Sequence, residues 1–292
     1  MKNKGFNKYG LLAISAVLLL SILAGWSAAS LKAPSIHKVK RPVLIEGAMP
    51  IEVQNFSKKL KNVKEEKSGN FVFYIGTLDR YPVIVVKTGK GMENAAAATA
   101  IAIEKFKPIA IINQGTAGGH DPNLHVSDIV LGKRTVNIGS FKTEIKDENQ
   151  GIDTTQWKPM DLMASEGSGS SADAEKIRYY DGDKALLVAA EAVKDQYTSG
   201  KVVEGTIGSA DIWNNEIDRI NWFHENYGTS AEEMEGFSEA QIASEYNIPF
   251  LDIRVLSNNK TNGGVYNPNT AGPCQDYVYD VVKKYVSTAA KK

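Results

Sequence analysis

Residues 113–131 read NQGTAGGHDPNLHVSDIVL. Three glycines and a threonine follow the apolar run Ile109–Ile112, and a second apolar run, Val126–Leu131, begins a few residues later. Bare backbone between two strands has two uses: a tight turn, or a wall where a ligand approaches main-chain N–H groups. Glycine punctuation alone leaves both open. The flanks say more. "PIAIINQG" (108–115) and "VSDIVLGK" (126–133) are short apolar runs with turn residues at their ends, as buried strands are.

Outward from this stretch, strands and helices alternate. "PVLIEGAM" (42–49) reads as a buried strand and "IEVQNFSKKLKNV" (51–63) has helical spacing. "FVFYIGTL" (71–78) and "YPVIVVKTG" (81–89) form a strand pair around Asp79–Arg80, and the Ala-rich "ENAAAATAIAIEKF" (93–106) is helical. Downstream, residues 142–182 are polar, with "SEGSGSSADAE" at their centre, and read as a long loop or insertion. Then come a helix "DKALLVAAEAVKDQY" (183–197), a strand "KVVEGTIGS" (201–209) and a helix "AEEMEGFSEAQIASEYN" (231–247). A strand "PFLDIRVLSNN" (249–259) and a closing helix "PCQDYVYDVVKKYVSTAA" (273–290) finish the chain. The alternation predicts one layered α/β domain with a mostly parallel, doubly covered sheet, and no internal repeat is visible.

In such sheets ligands sit beyond the carboxyl ends of strands. Five segments fall there: Gly47–Glu52, Thr88–Gly91, Asn113–Gly119, Gly208–Trp213 and Ser257–Asn259. The glycine-rich stretch is therefore read as one wall of a pocket, with a plain strand-to-strand turn as the alternative.

The chain has 292 residues, is 42% hydrophobic and carries 34 basic and 34 acidic side chains. With zero net charge and no basic stripe, nucleic acid is a poor candidate partner. The four histidines and the lone Cys274 show no metal-ligand spacing, so neither metal nor cofactor is expected. Lys2, Lys4 and Lys8 precede the apolar run "GLLAISAVLLLSILAGWSAAS" (10–30). A basic head, apolar run and small-residue end predict a signal peptide over 1–29, cut after Ala29. An uncleaved membrane anchor is the alternative, since the run is nearly long enough to span a bilayer. Either way the folded part is expected outside the cytoplasm, secreted or on the cell surface. Residues 30–41 read as a polar linker, leaving 42–292 as the domain. One cysteine permits no intramolecular disulfide, so the core must carry stability.

Six segments, "GAMPIEV" (47–53), "TGKG" (88–91), "INQGTAGG" (112–119), "VSDIV" (126–130), "AEEMEG" (231–236) and "IPFLDIRVLSNN" (248–259), stand in a fixed order. In order and spacing they resemble the nucleoside phosphorylase/nucleosidase superfamily, and within it 5′-methylthioadenosine/S-adenosylhomocysteine nucleosidases. The resemblance covers residues 42–288. It implies a three-layer α/β/α sandwich with a mixed central sheet, a homodimer or higher homo-oligomer, and scission of a purine nucleoside's N-glycosidic bond. That reaction needs a base for water, a donor at the leaving purine and a clamp on the ribose.

The resemblance places Glu52 as the water-activating carboxylate; the bland alternative is a first-turn helix glutamate. Met49 falls beside the ribose or 5′ group, and Glu235 where a carboxylate receives both ribose hydroxyls, with Glu233 and Met234 lining the pocket. A solvated acidic helix start is the competing reading of that run. Thr116 and Gly118 fall near the reacting face. Ile212 and Trp213 fall near a purine-stacking aromatic, although a core tryptophan is the alternative there.

Three departures from the pattern matter. The first loop and the segment before the glycines lack the arginines that hold phosphate in phosphorolytic relatives, which argues for water as nucleophile. Asn258 stands where the nucleosidases carry an aspartate that protonates purine N7. An amide can hydrogen-bond N7 but has no acid proton, so a 6-oxopurine, a better leaving group or a non-catalytic nucleoside-binding protein each fit. Lys90 stands where an apolar residue flanks the 5′-alkylthio group; it suits a polar 5′ group, or else reaches into solvent. The expectation is an exported purine nucleoside hydrolase. A binding or storage-type protein on the same fold is second and a purine nucleoside phosphorylase third.

Overall fold

The computed structural model describes residues 40–163 and 176–289. The expected signal or anchor segment 1–29, residues 30–39 of the expected linker and the Ser/Gly tract 165–175 lie outside the described residues. The chain opens with β1 (Val43–Gly47), α1 (Pro50–Lys59), β2 (Lys61–Ser68), β3 (Phe71–Leu78), β4 (Tyr81–Lys87) and α2 (Met92–Phe106). β5 (Ala110–Gly119) and β6 (Ile129–Asn137) follow, then the short strands β7 (Phe141–Lys142), β8 (Lys158–Pro159), β9 (Leu162–Met163), β10 (Lys176–Ile177) and β11 (Tyr179–Asp181). The last part holds α3 (Lys184–Glu191), β12 (Val202–Ser209), α4 (Ile217–Tyr227), β13 (Thr229–Glu233), α5 (Gly236–Glu245), β14 (Phe250–Asn258) and α6 (Ala271–Ala289).

The main sheet runs β11-β6-β12-β13-β5-β1-β4-β3-β2, and β14 pairs with both β5 and β6. β6, β12, β13, β5 and β14 thereby close into a ring, while β1 to β4 extend as an open wing. β1 is parallel to β4 and β5, and β14 is parallel to β5. β13 runs antiparallel to β5, and β14 antiparallel to β6. The sheet is mixed rather than mostly parallel, because the β2–β3–β4 meander and the ring closure add antiparallel edges.

Strand alternation sorts the core into two layers. Val43 and Ile45 of β1 pack with Val53 and Phe56 of α1 and Val278 and Val281 of α6. Leu44 packs on the opposite face with Ala98, Ala102 and Ile103 of α2 and Ala240 and Ala243 of α5. Helices thus cover both faces. The small alanines of α2 and α5 let those two helices lie close to the strands; each large apolar side chain wholly buried here contributes about 1.5–3 kcal/mol. Cys274 of α6 is fully buried, its Sγ 4.0 Å from the Gly115 carbonyl, and burial pushes the thiol up to about 12.

On the α2/α5 face the row Leu44–Ile111–Phe250 lies in register across β1, β5 and β14. Two residues nearer the carboxyl ends the same face carries Glu46–Asn113–Asp252, also in register and all within 1% of full burial. The face changes from hydrocarbon to carboxyl within one pleat.

Several expectations change. The glycines 115–119 are not a loop: β5 runs unbroken through Gly119. "AEEMEG" is not a helix start: β13 ends at Glu233 and α5 begins at Gly236. β2 was hidden in "KNVKEEKS", an exposed polar edge strand with no apolar alternation to reveal it. α4 was not read from the sequence, and the stretch 142–182 holds short strands, β11 among them pairing with β6. The Asp79–Arg80 hairpin forms as expected, both residues left-handed at φ 47 and 65.

Candidate active site

One cleft of about 310 Å³ opens at the carboxyl ends of β1, β5 and β14. Its lining includes Met49, Glu52, Lys90, Thr116, Gly118, Ile212, Trp213, Glu233, Met234, Glu235 and Asn258. All eleven residues singled out in the sequence therefore line one cavity. Ala48, Ala117, Glu232, Ser257 and Tyr266 complete the wall.

Glu52 sits in the first turn of α1 and is 2% exposed. Its Oε2 accepts from the Met49 N–H at 2.9 Å, while Oε1 accepts from the Thr116 N–H at 2.8 Å and the Thr116 hydroxyl at 2.9 Å. Three donors fix this carboxylate in one rotamer, at the edge of the cleft. Gly115 makes room for it: a Cβ there would stand 2.7 Å from Glu52 Oε1 and 2.8 Å from Arg254 Nη1. The bare backbone of the opening stretch is thus a packing requirement of the site rather than a turn.

Arg254 is the hub, and sequence reasoning missed it. It lies on β14, 1% exposed. Its Nε donates to Asp252 Oδ1 at 2.8 Å, Nη2 lies 2.5 Å from Glu233 Oε2, and Nη1 lies 3.4 Å from Glu235 Oε2. The signal available was an arginine two residues from an aspartate inside an otherwise apolar strand, since buried charges require partners. Around this one guanidinium stand Glu52, Glu233, Glu235, Glu239 and Asp252, with Glu46 beside Glu239, all six 6% exposed or less. One cation cannot hold six carboxylates ionised in a dry interior. Burial pushes Glu46 and Glu235 up to about 8 and Asp252 to about 7. Burial also lifts Glu239 well above its ordinary range, with Glu46 adding to the effect. The Thr99 hydroxyl is the polar partner of Glu46. Thr99 Oγ1 lies 2.8 Å from the Ala95 carbonyl and 3.1 and 3.2 Å from the two Glu46 oxygens, and its bond to Glu46 offsets only part of the effect of burial.

Three helix N-termini converge on the cleft, each closed by one of its carboxylates. Glu52 takes the Met49 N–H ahead of α1. Glu235 takes the Gly91 N–H ahead of α2 at 3.0 Å. Glu233 takes the N–H groups of Glu235 and Gly236 at the start of α5, each at 2.8–3.0 Å. Orphan N–H groups and the helix dipoles favour negative charge at these points. Gly236 has its own reason to be bare: a Cβ would meet Asp252 Oδ2 at 2.2 Å.

At the other end of the cleft, Ser257 Oγ donates to Asn258 Oδ1 at 2.9 Å. That bond turns Asn258 Nδ2 toward Gly118, whose bare Cα leaves 3.3 Å to it from a virtual Cβ. Trp213 is 51% exposed and Ile212 49%, so neither is a core residue. Trp213 meets Tyr266 edge-on at 6.2 Å and donates to Asn215 Oδ1 at 3.3 Å. Lys90 is exposed and, among the described residues, is the only cation lining the cleft, against four acidic side chains: Glu52, Glu232, Glu233 and Glu235. Among the described residues no group of His, Cys, Asp or Glu is placed to hold a metal ion.

The family model of the phosphorylase superfamily matches residues 42–291. A 5′-methylthioadenosine/S-adenosylhomocysteine nucleosidase of Anoxybacillus flavithermus is 32% identical over 216 residues, 74% of this chain and 84% of its own. The nucleosidase of the same name from Colwellia psychrerythraea, solved with adenine, superposes with a TM-score of 0.68 at 27% identity, covering 84% of this chain and 96% of that one. The Neisseria meningitidis enzyme with methylthio-immucillin-A gives 0.66 at 25% identity, covering 83% and 99%.

Proposed function

Since the chain belongs to the phosphorylase superfamily, we propose that it is a nucleosidase, splitting the N-glycosidic bond of purine nucleosides or their 5′-modified forms with water. The substrates meant include the methylthioadenosine and S-adenosylhomocysteine type. The observation that carries this reading is Glu52, held by three donors beside a cleft whose other end presents the Asn258 amide and an aromatic wall. Glu52 takes a proton from water as its oxygen attacks the anomeric carbon; the glycosidic electron pair departs on the base. Glu235 accepts the ribose hydroxyls, and Met49 and Met234 pack the sugar in line. Asn258 Nδ2 donates to N7 of the leaving purine. Phosphate is a poor nucleophile here, because the cleft lining is acidic and Arg254 is already engaged by three acids. Lys90 at the rim suits a polar 5′ group.

The test is incubation of purified residues 30–292 with a panel of purine nucleosides, with and without phosphate. Free base and reducing sugar should appear in both, and Glu52→Gln should abolish them. Activity only with phosphate, yielding ribose 1-phosphate, would overturn the hydrolytic reading. A second reading, a nucleoside-binding protein of low turnover, draws on Asn258, which has no acid proton to give. We further propose export, on the basic head and apolar run of residues 1–29, and a homo-oligomer; cell fractionation and light scattering test these.

A further inference from the structure

The base end of the cleft does not end at Asn258. A second hollow of about 540 Å³ adjoins it and shares three wall residues with it: Gly118, Glu232 and Asn258. None of the residues placed at the ribose, Met49, Glu52 or Glu235, reaches this hollow. The partition is thin, because Gly118 brings no side chain to it. Beyond lie Asn214, Asn215, Asn259, Lys260 and the Gly263–Gly264 turn.

Glu232 stands at the junction, 8% exposed, and cannot swing across it. Its Oε1 accepts from the Asn214 N–H at 2.9 Å, and its Oε2 from Asn214 Nδ2 at 2.5 Å. Oε2 also lies 3.1 Å from His120 Nε2. His120 is itself fixed, 2.7 Å from the Thr229 hydroxyl and stacked on Phe223 at 5.9 Å. The junction therefore presents a donor, Asn258 Nδ2, beside a held carboxylate acceptor. On an adenine, N7 accepts and the exocyclic 6-amine donates along one edge. With N7 at Asn258, the 6-nitrogen faces the junction, and whatever it carries enters the hollow.

We propose that this hollow is a subsite for a hydrogen-bonding substituent on the exocyclic nitrogen of the base, so that the protein accepts N6-substituted adenine nucleosides. The inference rests on the nucleosidase reading for turnover but not for binding. Calorimetry with the free bases adenine and N6-(2-hydroxyethyl)adenine tests it directly, alongside hydrolysis of the two ribosides. Ile217→Trp and Lys260→Trp add bulk at two points of the hollow's lining; both positions are exposed and neither lines the cleft. The substituted base should bind at least as tightly as adenine. Either variant should weaken it by about tenfold or more while leaving adenine unchanged, the behaviour of a filled pocket. If the substituent itself costs about tenfold in the wild type, or the variants weaken both bases equally, the subsite does not exist. Base binding as expected with no hydrolysis of either riboside upholds the subsite and sinks the nucleosidase reading.

Discussion

At Gly115 the chain has no room for one methyl group, and this sets the sharpest expectation at the residue scale. Alanine there must displace Glu52 or Arg254, whose atoms lie 2.7 and 2.8 Å from the new carbon. A misplacement of about 1 Å at a reacting group costs about a hundredfold in rate. Gly115→Ala should therefore lose about two orders of magnitude in kcat, measured by base release, with the fold retained by circular dichroism. Asn258→Asp tests the leaving-group end. The carboxyl can keep the Ser257 bond and present its second oxygen, with a proton, to N7. The kcat/KM ratio of adenosine over inosine should rise, since adenine gains more from protonation than hypoxanthine does. A flat or falling ratio would mean that position 258 does not face the base. Residues such as Glu52 and Asn258 were legible because they belong to short motifs in fixed order. Arg254 and Glu232 were not, because their importance lies in partners brought from other strands.

Elements carry the electrostatics of the site. The N-termini of α1, α2 and α5 are closed by Glu52, Glu235 and Glu233, so the carboxylates that would bind substrate also complete helices. Removing a helix cap costs about 1 kcal/mol, so substitutions here reach stability as well as turnover. The row Glu46–Asn113–Asp252 adds a pH dependence of definite sign. Burial holds Glu46 at about 8 in the folded chain against 4.5 in the open one. Between those values the native state keeps a proton that the unfolded state has lost. Stability from this group is complete at low pH and falls as pH rises, by up to about 1.4 kcal/mol per unit. Glu46→Gln should flatten that fall, read as the difference in urea midpoint between about pH 6 and about pH 8. An unchanged slope would show that Glu46 is ionised throughout. The strands and helices with apolar periodicity were visible in the sequence. β2 was not, since "KNVKEEKS" is exposed on both faces, and the switch from β13 to α5 inside "EEMEG" was not, since burial there is polar.

For the whole molecule, the mixed sheet with helices on both faces was legible from alternation and motif order. The ring closure through β14 was not, because no local pattern specifies a strand with partners on two sides. The single cysteine lies under the strand that carries Thr116, fully buried, its thiol raised to about 12. In the closed molecule a thiol reagent has neither access nor thiolate, so modification must wait for the sheet and α6 to part. The chain thus carries its own stopwatch for opening, with no added probe. Labelling at low denaturant should track the open population. A ligand bound only by the closed form, at about a hundred times its dissociation constant, should slow the clock about a hundredfold. The same reading, taken with each purine in turn, would rank ligands by how long they keep that clock from starting.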